Sequence, residues 1–148
     1  MAGTSTFVKH LDHLNMSVAS LAASEAWYGR VFGFERVEGG LYEGRPWAIL
    51  KGGEALLCLY EHPERTPPDA EAAGRHGLAH FGLRVSDKPA LEAALAREQV
   101  PVLYGGAVRW PHSTAWYVTD PSGYEIEVAH WDDDTVRFPP LPAARAAR

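Results

Sequence analysis

The sequence predicts an α+β fold in which two βαβββ modules form a cupped mixed sheet. HLNMSV at residues 13–18 recurs as HFGLRV at residues 80–85, a shift of 67 positions. WAI, GG and ALLCL within residues 47–59 correspond to WYV, PS and YEIEV within residues 116–128, a shift of 69 positions. Self-similarity at nearly the same spacing indicates a supersecondary unit that occurs twice. Because the second shift is larger, the two copies differ in length between these motifs.

Each module is expected to begin with a strand followed by a helix. In both six-residue copies a histidine stands first and apolar residues take the second, fourth and sixth places, which is the period of a half-buried strand. Apolar residues at helical spacing then predict helices over Leu21–Phe32 and Lys88–Glu98. Gly33 is a suitable C-cap for the first helix, and either Ser86 or Asp87 caps the start of the second.

Three short strands complete each module. The last one follows the turn DPSG, in which Gly123 is free to take a positive φ. In this strand Glu125 and Glu127 alternate with apolar or aromatic residues, so the two acids share one face. Taken alone, the pattern is typical of an ordinary half-solvated strand. The repeat gives it a counterpart in the first module, where Cys58 stands at the position of Glu127.

The chain is expected to form a single domain. Its 148 residues, of which 46% are hydrophobic, suffice for one full core, whereas two independent halves would be marginal. Module 1 is expected at about residues 8–62 and module 2 at about residues 77–131. A linker rich in proline and charge is expected at about residues 63–76, and a tail at 132–148.

The composition indicates a small-molecule partner. A formal net charge of -5, without a long basic cluster, argues against nucleic acid and against an anionic membrane surface. No apolar run approaches the roughly 18 to 20 residues of a membrane span, and the first residues lack the apolar core of a secretory signal. The single cysteine, Cys58, excludes an internal disulfide and suits a reducing compartment. A cytoplasmic location is therefore expected.

The duplication predicts a metal site. Two halves related by a pseudo-twofold axis bring equivalent positions together, so His13, His80 and Glu127 are expected to converge near Cys58. Two imidazoles and one carboxylate form the facial triad that holds a divalent ion and leaves positions open. Iron(II) or manganese(II) is favoured, with zinc or nickel as the alternative. Cys58 is either a thiolate ligand or a small hydrophobic residue, and each histidine taken singly is more commonly a polar strand residue.

These motifs resemble those of the vicinal oxygen chelate superfamily, which includes glyoxalase I, fosfomycin resistance transferases, extradiol dioxygenases and the bleomycin-binding proteins. The resemblance covers about Val8 to His130 and rests on DHLNMSV, AHFGLRV and DPSGYEIEV. It implies paired βαβββ modules around a divalent metal. It also implies a homodimer in which His13 comes from one subunit and His80 with Glu127 from the other.

The resemblance adds two candidate catalytic residues. Tyr117 lies ten residues before Glu127, where the ring-cleaving dioxygenases of the superfamily carry a tyrosine near the iron, and core packing is the alternative. His112 is close to the place of their acid/base histidine, although its spacing to Tyr117 is shorter than in their pattern. A solvent-exposed loop histidine is the alternative.

Strand alternation adds candidate substrate-binding residues on the faces that carry the ligands. Arg84 follows His80 on such a face and suits a substrate carboxylate, unless it is an exposed arginine at a strand end. The other candidates are Asn15, Cys58 and Tyr60. Further aromatic residues either wall the site for a planar ligand or fill the core: Trp47, Trp110 and Trp116.

The predicted function is that of a divalent-metal-dependent enzyme whose small-molecule substrate chelates the metal through neighbouring oxygens. Dioxygenase-like ring cleavage is favoured. Glyoxalase I requires a carboxylate where this chain has Cys58, and fosfomycin-type transferases carry a threonine where Asn15 stands. A lyase or isomerase of the glyoxalase type and a non-catalytic binding protein of the bleomycin-binding type are the alternatives.

Overall fold

The computed structural model describes residues 6–68 and 76–141. Over these residues the chain divides into two compact units, residues 6–68 with Asp120–Gly123 and residues 76–119 with 124–141. The first part of the chain contains β1 (Leu14–Val18), α1 (Leu21–Phe32), β2 (Glu35–Tyr42), β3 (Arg45–Gly52) and β4 (Ala55–Glu61). The second contains β5 (Phe81–Arg84), α2 (Lys88–Arg97), β6 (Val108–Trp110), β7 (Ser113–Thr119), β8 (Glu125–Trp131) and a 3-10 turn (Asp132–Asp134).

The two sheets have the same topology. The strand order is β1-β4-β3-β2 in one and β5-β8-β7-β6 in the other, and in each the first strand pairs in parallel with the last while the other neighbours are antiparallel. Asn15 pairs with Cys58, and Gly82 pairs with Glu127. These positions correspond to one another under the two sequence shifts. The α+β fold of two βαβββ modules is therefore confirmed, as is the equivalence of Cys58 and Glu127.

Local capping explains where the helices begin. Ser20 Oγ accepts a hydrogen bond from Ala23 N at 3.2 Å at the start of α1, and Gly33 ends this helix with a φ of 72°. Asp87, one of the two alternatives for α2, is its N-cap, because its Oδ1 accepts from Ala90 N at 2.9 Å. The bounds of α1 are those predicted, and α2 ends one residue earlier than predicted.

The two histidines that were predicted to head a strand lie just outside it. The parallel ladders begin with the pairs Leu14–Leu57 and Phe81–Ile126. His13 and His80 precede these first pairs, so the prediction that they belong to β1 and β5 is wrong by one residue. The parallel ladders begin one residue later than predicted, although Leu56 of β4 and Glu125 of β8 lie within the partner strands.

Alternating burial along β8 leaves its acids accessible. Ile126 and Val128 are fully buried, whereas Glu125 and Glu127 are half-buried on the other face. In β4 the buried residues are Leu57 and Leu59, and Cys58 is half-buried between them. The face that carries Glu127 and the equivalent face that carries Cys58 are thus the partly accessible ones.

Hydrogen bonds anchor the DPSG turn that precedes β8. The hydroxyl of Tyr28 in α1 donates to Asp120 Oδ2 at 2.8 Å, and Ser122 N donates to Asp120 Oδ1 at 2.9 Å. Ser122 Oγ accepts from Ala19 N at 3.0 Å. Gly123 takes a φ of 94°, as predicted for this turn. The motif therefore has a structural role in the first unit, because its hydrogen bonds tie the turn to α1 and to the residue before the N-cap of that helix.

The expected linker and tail are described only in part. Residues 69–75 of the linker and residues 142–148 of the tail lie outside the described residues. In the part of the chain that is described, no helix has the length and apolar character needed to cross a membrane.

Candidate functional site

The second unit brings His80 and Glu127 together. Gly82 pairs with Glu127, and His80 stands two residues before Gly82, so both side chains project from the same face of neighbouring segments. His80 Nε2 lies 2.9 Å from Glu127 Oε2, and the two side chains are 37% and 25% exposed. Two of the three predicted metal ligands therefore form one solvent-accessible imidazole–carboxylate pair.

Tyr117 lies beside this pair. It is the cross-strand partner of Glu127 in β7, and its ring meets the His80 imidazole edge-on, with a centroid separation of 5.8 Å and an interplanar angle of 79°. The phenol is hydrogen-bonded to the Glu127 carboxylate and to the side chain of Trp110. Since a carboxylate only accepts and an indole only donates, Tyr117 donates to Glu127 and accepts from Trp110.

The surroundings of Tyr117 keep its hydroxyl protonated. Burial of the side chain, followed by its hydrogen bond to the negatively charged Glu127, raises the pKa of Tyr117 above its ordinary value. At neutral pH the phenol is therefore a proton donor rather than a phenolate. It is suited to holding the Glu127 carboxylate in one orientation.

Tyr104 and Glu125 extend the cluster, and sequence reasoning did not assign either of them to the site. Tyr104 lies between α2 and β6 with a φ of 57°, and its ring meets Tyr117 edge-on at a centroid separation of 5.2 Å. Its hydroxyl donates to Glu125 Oε2 at 2.8 Å, and this hydrogen bond raises the pKa of Tyr104. Glu125 could have been found from its position two residues before Glu127, whereas nothing in the sequence marked Tyr104.

The remaining predicted residues of the second unit are spread along the sheet. Arg84 is exposed at the end of β5 and pairs with Ala129, so it shares the face of Glu127. His112 lies in the turn between β6 and β7, five residues before Tyr117, which corresponds to about 16 Å along a strand. The structure thus brings Tyr117 and Arg84 to the face of the pair and places His112 at the far end of β7.

Trp116 does not wall the candidate site. It is buried, and it projects from the face of β7 opposite to Tyr117. Lys88 Nζ lies 5.6 Å from the centre of its ring. Of the two alternatives for Trp116, the structure supports core filling, because the pleat of β7 turns consecutive side chains to opposite faces.

The first unit holds His13, Asn15 and Cys58. His13 is 46% exposed, and its Nδ1 lies 2.8 Å from Asp12 Oδ2. Asn15 is exposed and is the ladder partner of Cys58. Burial above all, and then the negative charges of Asp12 and Glu38, raise the pKa of the Cys58 thiol. A thiol that stays protonated is a weak metal ligand, so these surroundings favour the hydrophobic interpretation of Cys58.

Tyr60 belongs to an aromatic group in the first unit. It pairs with Trp47 across β3 and β4, and the two rings are stacked with centroids 6.0 Å apart and an interplanar angle of 16°. Tyr42 meets Tyr60 edge-on at 6.2 Å. Because Trp47 and Tyr60 are only half-buried, part of this aromatic surface is open to a planar ligand.

The His80–Glu127 pair fits a divalent cation. Imidazole nitrogen and carboxylate oxygen are both ligands of the metals that the sequence predicts. Two ligand atoms at right angles around an ion, each about 2.1 Å from it, are about 3 Å apart. The observed separation of 2.9 Å is that of a direct imidazole–carboxylate hydrogen bond and is also compatible with this geometry. Over the residues that the structure describes, no group of three or more His, Cys, Asp or Glu side chains is arranged to hold a metal.

Comparisons with known proteins give a family and a set of similar structures. A family model described as "Glyoxalase/Bleomycin resistance protein/Dioxygenase superfamily" matches residues 10–128. No match was found among the curated proteins.

Three solved structures illustrate the structural similarity. A glyoxylase/bleomycin resistance protein/dioxygenase domain from Frankia sp. EAN1pec has 19% identity and a TM-score of 0.72, covering 85% of this chain and 94% of that one. A lactoylglutathione lyase from Agrobacterium tumefaciens has 27% identity and a TM-score of 0.62, with 84% and 96% covered. An antibiotic binding protein from Streptomyces sp. CB03234 has 20% identity and a TM-score of 0.64, with 86% and 100% covered.

Proposed function

Since this chain belongs to the glyoxalase/bleomycin resistance protein/dioxygenase superfamily, we propose that it is a divalent-metal-dependent enzyme acting on a small molecule with two neighbouring oxygens. The reaction is ring cleavage of the dioxygenase type, in which dioxygen is the co-substrate and both of its atoms enter the product. The observation that carries the proposal is the 2.9 Å approach of His80 Nε2 to Glu127 Oε2 on an accessible face.

Each residue of the cluster has a distinct part in this proposal. His80 and Glu127 hold the metal, and when bound the metal supplies Lewis acidity toward the substrate oxygens. Tyr117, protonated at neutral pH, orients Glu127 through its hydrogen bond and can give a proton to a substrate oxygen. Arg84, on the same face, attracts an anionic substrate group. His112 at the turn before β7 has no part in the chemistry of the pair, because about 16 Å of strand separates it from Tyr117.

Metal content tests the proposal directly. Protein purified without added chelator is expected to hold about one divalent ion per chain, with the metal identified by elemental analysis. Glu127→Gln keeps the shape of the side chain but removes its charge, so the ion should be lost, while Glu92→Gln on the exposed surface of α2 should retain it. Equal metal content in the two variants contradicts the proposal.

The third ligand in this proposal is His13 of a second copy of the chain, so the working form is a homodimer with two shared sites. Support comes from the two-ligand group in the second unit and from the exposed His13 imidazole in the first. The idea predicts complementation between inactive chains. Co-expression of His13→Ala and Glu127→Ala chains, with a different affinity tag on each, gives mixed dimers in which one of the two sites has all three ligands.

The mixed dimers separate a shared site from a site within one chain. For a shared site, each pure variant should lack metal and the mixed dimer should regain about half of the wild-type content. For a site built by one chain, the mixed dimer should stay empty. Elemental analysis of the doubly purified dimer distinguishes the two results.

A second candidate function is binding of a planar molecule without turnover. The open, stacked pair of Trp47 and Tyr60 in the first unit favours it, because such a surface holds aromatic ligands without a metal. The similar structure of an antibiotic binding protein is in line with this alternative. Oxygen uptake by the iron-loaded protein in the presence of catechols separates the two functions, since a binding protein consumes no oxygen.

A glyoxalase-type lyase is the third possibility. The Agrobacterium structure at 27% identity supports it. The half-buried Cys58, with its raised thiol pKa, stands at the position equivalent to Glu127, where a second carboxylate would be needed. We therefore rank it below ring cleavage, and assay of the metal-loaded protein with a hemithioacetal substrate tests this order.

A further inference from the structure

Tyr104 presents an aromatic surface beside the His80–Glu127 pair. Its side chain is 68% exposed, although its ring and its hydroxyl are both held in place. The ring packs edge-on against Tyr117, and Tyr117 packs edge-on against His80, so the three rings form a continuous row. A large aromatic residue that is fixed on one side and open on the other is suited to contact with a ligand.

Several interactions hold Tyr104 in this position. Its hydroxyl donates to Glu125 Oε2 at 2.8 Å, which ties the loop to β8. The backbone on its N-terminal side is tied to β7, because Leu103 N donates to Tyr117 O at 2.8 Å. A left-handed φ of 57° is costly for a tyrosine and is maintained here by contacts on both sides. The ring is therefore a pre-ordered wall rather than a freely moving loop side chain.

The position of Glu125 relates Tyr104 to the candidate metal ligands. Glu125 and Glu127 share one face of β8, two residues apart, so the anchored phenol lies one step along the strand from the metal-binding carboxylate. The row of rings runs from His80 through Tyr117 to Tyr104 with centroid separations of 5.8 and 5.2 Å, so a planar ligand held by His80 and Glu127 that extends along this row meets the Tyr104 ring. A chelator without a ring makes no aromatic contact with it.

We propose that Tyr104 is a specificity-determining residue, whose ring contacts the aromatic ring of the substrate and so selects aromatic over aliphatic molecules with neighbouring oxygens. This inference deepens the proposed function and rests on it. Glu125 is a positioning residue, because it holds the phenol of Tyr104 without contact with the ligand.

Two probes, one with an aromatic ring and one without, test the inference, and each is compared between wild type and variant so that their different charges cancel. Catechol and oxalate both offer two neighbouring oxygens, but only catechol has a ring. Their dissociation constants are measured by calorimetry on the manganese-loaded protein without oxygen, so that no turnover is required. An edge-to-face contact is worth about two- to tenfold in affinity. Tyr104→Ala should therefore weaken catechol by about that factor and leave oxalate unchanged, whereas His80→Ala should weaken both.

Two control variants distinguish the contribution of the Tyr104 ring from that of its hydroxyl and from the effect of removing any exposed ring. Tyr104→Phe keeps the ring and removes only the hydrogen bond to Glu125, so it should weaken catechol less than Tyr104→Ala does. Phe138→Ala removes another exposed ring, one that packs edge-on against Trp131 in the same unit, and should change neither constant. Equal weakening of both probes by Tyr104→Ala, or no weakening of catechol, overturns the inference.

The same measurements show whether the role of Tyr104 or the proposed metal-dependent function is wrong. If the wild-type protein binds no metal and no oxalate, the metal-dependent function is wrong. Catechol binding to the metal-free protein then decides the role of Tyr104, because weakening by Tyr104→Ala supports the ring contact and unchanged binding refutes it. Absence of any catechol binding to wild type overturns both.

Discussion

Removal of one hydroxyl group in α1 should destabilise the protein without weakening its ligand site. Tyr28 is fully buried and donates to Asp120 Oδ2 at 2.8 Å, and Asp120 is 4% exposed. Tyr28→Phe keeps the ring and its packing but takes away this donor. A buried hydrogen bond to a carboxylate contributes about 1.5–3 kcal/mol. For a chain of this length each kcal/mol corresponds to about 4 °C, so the melting temperature should fall by about 6–12 °C.

Two measurements and one control variant test this prediction. Thermal and urea unfolding followed by circular dichroism report stability, and metal content measured well below the transition reports the site. Tyr42→Phe makes the same chemical change at an exposed position and should alter stability by less than about 0.5 kcal/mol. Both variants should retain the wild-type metal content.

The prediction rests on a structural role for the DPSG motif. A fall of less than about 0.5 kcal/mol for Tyr28→Phe would show that the Tyr28–Asp120 hydrogen bond contributes little to the fold. Normal stability with loss of metal would place the turn in the functional site instead. Either result would refute the structural role of the turn.

Three further changes test the local physics. Tyr117→Phe removes the hydrogen-bond donor to Glu127 and should weaken metal binding by about 10- to 100-fold, measured by competition with a chelator. The free energy of unfolding should change little, because the aromatic ring is kept. Unchanged metal affinity would show that Glu127 does not need this hydrogen bond. Glu125→Gln removes the negative charge that favours the protonated phenol, so the pKa of Tyr104 should fall toward its ordinary value. A titration of tyrosinate absorbance measures this pKa, and Tyr104→Phe identifies which part of the signal belongs to Tyr104. A constant or rising midpoint would contradict the effect of Glu125 on Tyr104. Gly33→Ala places a Cβ in open space at a φ of 72°, so only backbone strain acts and the free energy of unfolding should fall by about 1 kcal/mol.

The sequence alone determined the architecture of this protein because its hydrophobic pattern occurs twice in the chain. Period-two alternation and helical spacing depend on neighbouring residues only, so α1 was predicted to the residue, and the turn at Gly123 followed from local backbone chemistry. The two shifts made Asn15 equivalent to Gly82 and Cys58 equivalent to Glu127, and the structure then showed that the pairing of the first two strands recurs in the second module.

Only the tertiary structure decided which side chains meet. The duplication predicted that His80 and Glu127 converge, and the structure places their side chains 2.9 Å apart. Tyr104 was not predictable, because its contact with Tyr117 and its hydrogen bond to Glu125 join a loop to strands that follow it in the chain. Hydrophobic patterns specify which face of an element is buried, whereas loop positions depend on contacts between residues that are distant in sequence.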